Sequence, residues 1–206
     1  MNSVVRKPLL SVRELTTVAV LAAISAVLFM VEVPVVLFYK LDFSNLPVLL
    51  CTFAMGPFAG TICLFIKSAL GLLHSTSQGV GELADFIMGL AMILPAGLIY
   101  RRSKSRKSAL IGMIVGSLCA TAAGVLTNLY LLIPFYGAVY NMPVEAILAM
   151  GQKVIPSLDS LWKFALCITA PFNLQKWCAI SLLGYLMYKP LSPLLHGKRA
   201  GVTKRA

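Results

Sequence analysis

The chain is written in long apolar runs joined by short polar stretches, about six of them long enough to cross a bilayer as helices. The first covers residues 12–33 and stops near Pro34. A polar joint, Phe38–Asn45, follows. From Ser44 to Leu73 the only charge is Lys67, and Gly56–Pro57 interrupts the run. As a single helix this segment would be roughly 45 Å long, too long for a hydrocarbon core of roughly 30 Å. Two short helices turning at Gly56–Pro57 fit, because Gly ends one helix and Pro starts the next. Further helices are predicted over 81–100, 109–134 and 173–189. The stretch 136–172 carries Glu145, Lys153, Asp159 and Lys163 among the breakers Gly137, Pro143, Pro156 and Pro171. It is expected to form an outer segment of one or two short helices.

Composition removes the soluble alternative. Hydrophobic residues are 59% of the 206, mean hydropathy is +0.87 and only 12% of residues are charged. A soluble domain of this length could not cover that much apolar surface. With no long polar stretch, residues 1–206 read as one transmembrane domain. The apolar run at 15–31 follows Arg6, Lys7 and Arg13, as in a signal peptide. It is longer than a signal core, however, and Glu32–Val33–Pro34 is a poor cleavage site, so it reads as a retained first helix. Cys51, Cys63, Cys119, Cys167 and Cys178 lie scattered in apolar runs without CxxC spacing, as small membrane-embedded side chains.

The formal charge of +11 would suit a nucleic-acid partner, but its distribution points elsewhere. Thirteen of the eighteen cations sit in the N-terminus, in the joint Arg101–Lys107, and in the tail from Lys189. Glu14 is the one acid in those places. Cations gathered in short loops mark the cytoplasmic side, with anionic lipid as counter-charge. Both termini and the 101–107 joint are then cytoplasmic, and the chain crosses an even number of times on each side of that joint. The predicted fold is an all-α integral membrane protein, a six-transmembrane-helix bundle with a ligand pocket near its outer face.

That topology brings four polar groups to the outer side: Tyr39–Lys40–Leu41–Asp42, His74–Asp85, Asn128, and Asn173 with Lys176. Polar residues in bundle-facing positions are costly in lipid and usually line a cavity or mark a site. Asn173 and Lys176 are three apart and share a helix face. No GxxxxGK[ST] phosphate loop, HExxH or GxSxG occurs, and no acid cluster suits a metal. Glu82 and Asp85 are read as loop or cap residues. Ala19, Ala22, Ala23 and Ala26 give two overlapping AxxxA pairs, a flat strip that another helix could approach closely. A pocket, no motor and such a strip suit a subunit powered by others.

The residues 39–47 (YKLDFSNLP), 56–60 (GPFAG), Ile66–Lys67, 79–86 (GVGELADF), 126–130 (LTNLY) through Pro134, and 171–176 (PFNLQK) occur in order along nearly the whole chain. Together they resemble the riboflavin-binding S components of energy-coupling factor (ECF) transporters. The resemblance implies six helices and riboflavin taken from outside as a transported substrate, with no cofactor. It also implies assembly with a transmembrane coupling (T) protein and two ABC ATPases in the bacterial cell membrane. It assigns ring contacts to Asn128, Asn173 and Lys176, and assigns the loop at Tyr39, Lys40, Leu41 and Asp42 to covering the ligand. Ala19, Ala22, Ala23 and Ala26 match the family's docking surface. The chain departs from the family where Asp is common at Asn45 and Asn at Asp85, and in a longer outer segment before Asn173. Alternatives are an S component for another vitamin, and a membrane enzyme using Glu82 or Asp85 on lipid.

Overall fold

A computed structural model describes residues 10–195 apart from Phe38, with side chains as far as Met187. The N-terminal Arg6 and Lys7 and the tail cations beyond residue 195 lie outside the described residues. Helix α1, Val12–Met30, starts at a capping box: Glu14 N–H donates to Ser11 Oγ (3.3 Å), and Ser11 N–H donates to Glu14 Oε2 (2.7 Å). This accounts for the lone acid among the N-terminal cations.

Past Met30 the chain leaves the helix for a short antiparallel hairpin, β1 (Val33–Val36) with β2 (Tyr39–Leu41). Val33 faces Leu41 and Pro34 faces Lys40, with a register irregularity before Val36. The fold is therefore mostly helical rather than all-α. The β-branched run and Pro34 favour extended backbone, and Leu37 takes a left-handed conformation (φ 54°) at the reversal.

Helix α2, Asn45–Met55, and α3, Pro57–Gly71, turn at Gly56 as the sequence predicts. Gly56 has φ +95°, a conformation glycine adopts without penalty, and Pro57 opens α3. Helix α4, Val80–Ser103, leads through the basic joint to α5, Arg106–Thr127. A wide π-turn over Asn128–Leu132 joins α5 to α6, Ile133–Tyr140. The short α7, Val144–Gln152, precedes α8, Leu161–Phe164, which passes through a second π-turn, Ala165–Thr169, into α9, Ala170–Leu195.

With α5–α6 and α8–α9 each taken as one continuous helix, the described residues hold seven helices rather than six. The additional one is α7, inside the segment expected to carry short helices. Val12–Met30, Pro57–His74, Val80–Ser103 and Arg106–Tyr140 are long and apolar enough to cross a membrane.

One core cluster joins α1, α2, α3, α4, α5 and α9 around Val18, Leu49, Leu64, Met92, Met113 and Trp177. A second, built on Tyr39, Leu129, Ile147, Leu158 and Phe164, seats the hairpin and α7 against the two π-turns. On the outside, Ile111, Ile114 and Leu118 of α5 and Val20, Ile24 and Val27 of α1 are exposed at helical spacing. Such apolar stripes suit lipid rather than water.

Candidate functional site

Between the hairpin, α4, α5 and α9 lies a cavity of about 160 Å³ that opens to the outside of the bundle. Its wall includes Tyr39, Lys40, Asp42, Asn128, Asn173 and Lys176. Six of the seven sequence-predicted ligand residues thus line one cavity. Leu41 does not: it pairs with Val33 in the hairpin, half-buried. His74 lines a neighbouring cavity between α1 and α3 instead.

The two π-turns bring the polar wall together. Each puts one wider i→i+5 turn in a long helix and so re-aims the side chains around it, a distortion common at functional sites. Asn128 begins the first and Thr169 ends the second. Thr169 Oγ1 donates to Asn128 Oδ1 (3.4 Å) and lies 2.6 Å from the Tyr39 hydroxyl. Asn173 Nδ2 donates to the Thr169 carbonyl (2.9 Å). The Tyr39 ring stacks on Phe172, centroids 5.0 Å apart and 28° between planes. Asn128 is fully buried, and its Nδ2 has no hydrogen-bond partner of good geometry among the described residues. An unmet buried donor costs free energy, so one carried by a cavity-lining residue is suited to a ligand acceptor.

Four buried charges meet at this wall, three of them, Asp42, Asp85 and Lys176, lining the cavity. Lys176 Nζ donates to Asp42 Oδ2 (2.7 Å) and Asp85 Oδ1 (3.3 Å). Lys67 Nζ donates to Asp85 Oδ2 (2.5 Å) and Asn45 Oδ1 (3.3 Å), and lies 4.8 Å from the centre of the Phe29 ring. Asn45 Nδ2 donates to Asp85 Oδ1 (3.0 Å). The two departures from the family pattern, Asn45 and Asp85, are therefore hydrogen-bonded to each other.

Asp42 does more than the loop contact expected of it. Its carboxylate takes the Ser44 N–H (2.9 Å) and hydroxyl as well as Lys176. Burial alone would raise its pKa. The Lys176 and Lys67 charges, with the bonds from Lys176 and Ser44, override burial and hold the carboxyl below the usual range. Asp85 is also corrected: it is a buried member of this network, not a loop residue, whereas Glu82 accepts from the Ser75 and Ser77 hydroxyls (2.9 Å each) and ties the α3–α4 loop. Neither Lys67 nor Thr169 is singled out for the site by the sequence, although a lone Lys in an apolar run is a signal of a buried partner.

At the mouth, Lys40 pairs with Glu32 (2.6 Å) and donates to Thr76 Oγ1 (3.4 Å). On α1 the small-residue strip divides. Ala22 is fully buried in the core, Ala26 is half-buried, and Ala19 and Ala23 are exposed. The Ala22 methyl packs inside the bundle, so of the strip only Ala19, Ala23 and half-buried Ala26 reach the surface.

Residues 13–188 match the model of the ECF transporter substrate-specific component. The chain is 33% identical over 186 residues to the riboflavin transporter RibU of Staphylococcus aureus, covering 89% of this chain and 92% of that one. It is 25% identical over 197 residues to the riboflavin transporter FmnP of Bacillus subtilis, covering 93% and 98%. A solved S component of a bacterial ECF transporter superposes with a TM-score of 0.69 at 31% identity, over 89% of this chain and 97% of that one. The chain belongs to the family of ECF transporter substrate-specific components, a family of transporter subunits and not of enzymes.

Proposed function

We propose that this chain captures riboflavin outside a bacterial cell and delivers it to an ECF-type importer. The observation that carries the reading is Asn128, a buried amide in the cavity wall whose Nδ2 has no partner among the described residues. The pyrimidine edge of a flavin alternates carbonyl acceptors with an N–H donor, and Asn amides offer both complements. Asn173 supplies a second amide and Lys176 a cationic donor on the same wall. The stacked Tyr39 and Phe172 rings give the flavin's apolar body an aromatic neighbour. Lys40, Thr76, Ser77 and Glu82 near the mouth suit the hydroxyls of a ribityl chain. The names of the relatives, riboflavin transporters, support the same ligand.

In this reading six helices cross the cell membrane, α7 stays on the outer side, and both termini and the Arg101–Lys107 joint are cytoplasmic. The exposed cations of that joint support the orientation. With no nucleotide-binding loop of its own, the chain takes its motion from a transmembrane coupling protein and two ABC ATPases. Ala19 and Ala23, with half-buried Ala26, are the small residues left for a coupling helix.

Purification from riboflavin-containing medium tests the function. The detergent-solubilised protein is expected to be yellow and to release riboflavin on denaturation. Colourless protein that takes up a different vitamin would overturn the assignment.

A further inference from the structure

Helices α5 and α9 run antiparallel, with Met113 beside Gly184, Ser117 beside Ser181 and Gly124 beside Asn173. Small side chains set between larger ones leave a slot of about 270 Å³ along the outer side of the pair. Its floor is Ser117, Cys178 and Ser181. Its rims are exposed Ile114 and Leu118 on α5 and exposed Leu174 and Leu182 on α9. The two serine hydroxyls lie 3.0 Å apart, and Ser117 also donates to the Trp177 carbonyl (3.4 Å). Their polarity is met within the protein, so between its rims the slot offers a ligand little but hydrocarbon.

The slot leads to the basic joint. Helical spacing sets Arg106, Leu110, Met113 and Ser117 on one stripe of α5, and Lys107, Ile114 and Leu118 on the stripe beside it. Arg106 and Lys107 are exposed, and neither has an acidic partner among the described residues. The opposite face of α5, at Gly112 and Gly116, packs on Ala96 and Met92 of α4. Arg101 and Arg102, which end α4, thus belong to the side away from the slot. From Leu174 to Tyr185 α9 rises roughly 16 Å, about one leaflet of a hydrocarbon core roughly 30 Å thick. Tyr185 closes the slot at the joint end, where aromatic rings mark the headgroup level.

We propose that this slot is a binding site for one anionic phospholipid, an acyl chain lying between α5 and α9 and the headgroup phosphate on Arg106 and Lys107. The inference goes beyond the riboflavin reading and needs only that the chain lie in a bilayer. A helix about 10–12 Å across does not enter a slot whose walls meet at their serine hydroxyls, whereas a single hydrocarbon chain does. The two cations supply the selectivity, because an anionic headgroup balances their charge and a zwitterionic one does not. Helix α1 packs against α2 and α3, so the slot lies on a different flank from the alanine strip.

The experiment is native mass spectrometry of the purified full chain with dioleoyl phosphatidylglycerol or dioleoyl phosphatidylcholine titrated in, and melting temperature as the measure of folding. The two lipids share their acyl chains and differ in headgroup charge. Wild type is expected to retain one phosphatidylglycerol with about tenfold or greater preference, at roughly fivefold per cation. Arg106→Gln with Lys107→Gln should cut that preference below about threefold. Arg101→Gln with Arg102→Gln removes the same charge from the same joint and should keep it. Cys178→Phe fills the slot from its floor and should lose bound lipid of either kind. Ile114→Trp fills it from the rim and replaces Cys178→Phe should that variant melt early. Equal retention of both lipids by wild type, equal loss in the two cation pairs, or lipid held by both filled variants would each overturn the site. A dimer in place of the lipid adduct, abolished by Cys178→Phe, would give the slot to a second copy of the chain instead.

Discussion

Asn173 packs so closely on Gly124 that a methyl group at position 124 would lie 2.8 Å from the Asn173 Cγ. The contact crosses from α5 to α9 and sets where the amide stands in the cavity wall. Gly124→Ala forces Asn173 to move, since the methyl would meet all of its amide group. Helix propensity gains up to about 1 kcal/mol from the change, so the fold should survive. Riboflavin affinity should fall about tenfold, the cost of one misplaced buried hydrogen bond. Unchanged affinity would mean that Asn173 does not touch the ligand.

The divided alanine strip gives two opposite expectations. Ala22→Leu adds three carbons to a filled core and should cost about 1–3 kcal/mol, seen as a lower melting temperature. Ala23→Leu adds them to an exposed face. It should leave melting and riboflavin titration near wild type while reducing co-purification with the coupling protein. Normal assembly by Ala23→Leu would move the docking surface off α1.

Much of this was legible in the sequence, for identifiable reasons. The turn at Gly56–Pro57 follows from backbone chemistry that no packing overrides. Asn128, Asn173 and Lys176 stand out because lipid makes polar side chains rare. What escaped depends on where separate helices meet. Spacing shows that Ala19, Ala22, Ala23 and Ala26 share a broad face, but not that the edge of the core runs through it. The hairpin strands, four and three residues long, are too short to show alternation. The π-turns have no residue signature in this chain. Lys67 is conspicuous on its own, yet its partner Asp85 comes from the next helix, eighteen positions along, and only the fold pairs them.

The orientation can be read from whole cells. With the native cysteines replaced, Thr76→Cys at the cavity mouth and Glu145→Cys on α7 should react with an impermeant thiol reagent added outside. Ser103→Cys, beside the basic joint, should be protected until the membrane is opened. Labelling of Ser103→Cys from outside would reverse the topology and place the cavity mouth in the cytoplasm.

The most direct measurement of the central claim is a riboflavin titration of Asn128→Ala beside wild type and Thr127→Ala. Thr127 is the neighbouring cavity residue, but its hydroxyl is already bonded to the Ala123 and Gly124 carbonyls (2.8 and 3.2 Å), so it has little to offer a ligand. Loss of the Asn128 amide leaves the flavin edge buried without its partner and should cost roughly 1–3 kcal/mol, raising Kd by about one to two decades. Thr127→Ala should stay within about threefold of wild type. Wild-type affinity in Asn128→Ala together with weak binding in Thr127→Ala would contradict the account, for the ligand would then be read by a different face of the helix.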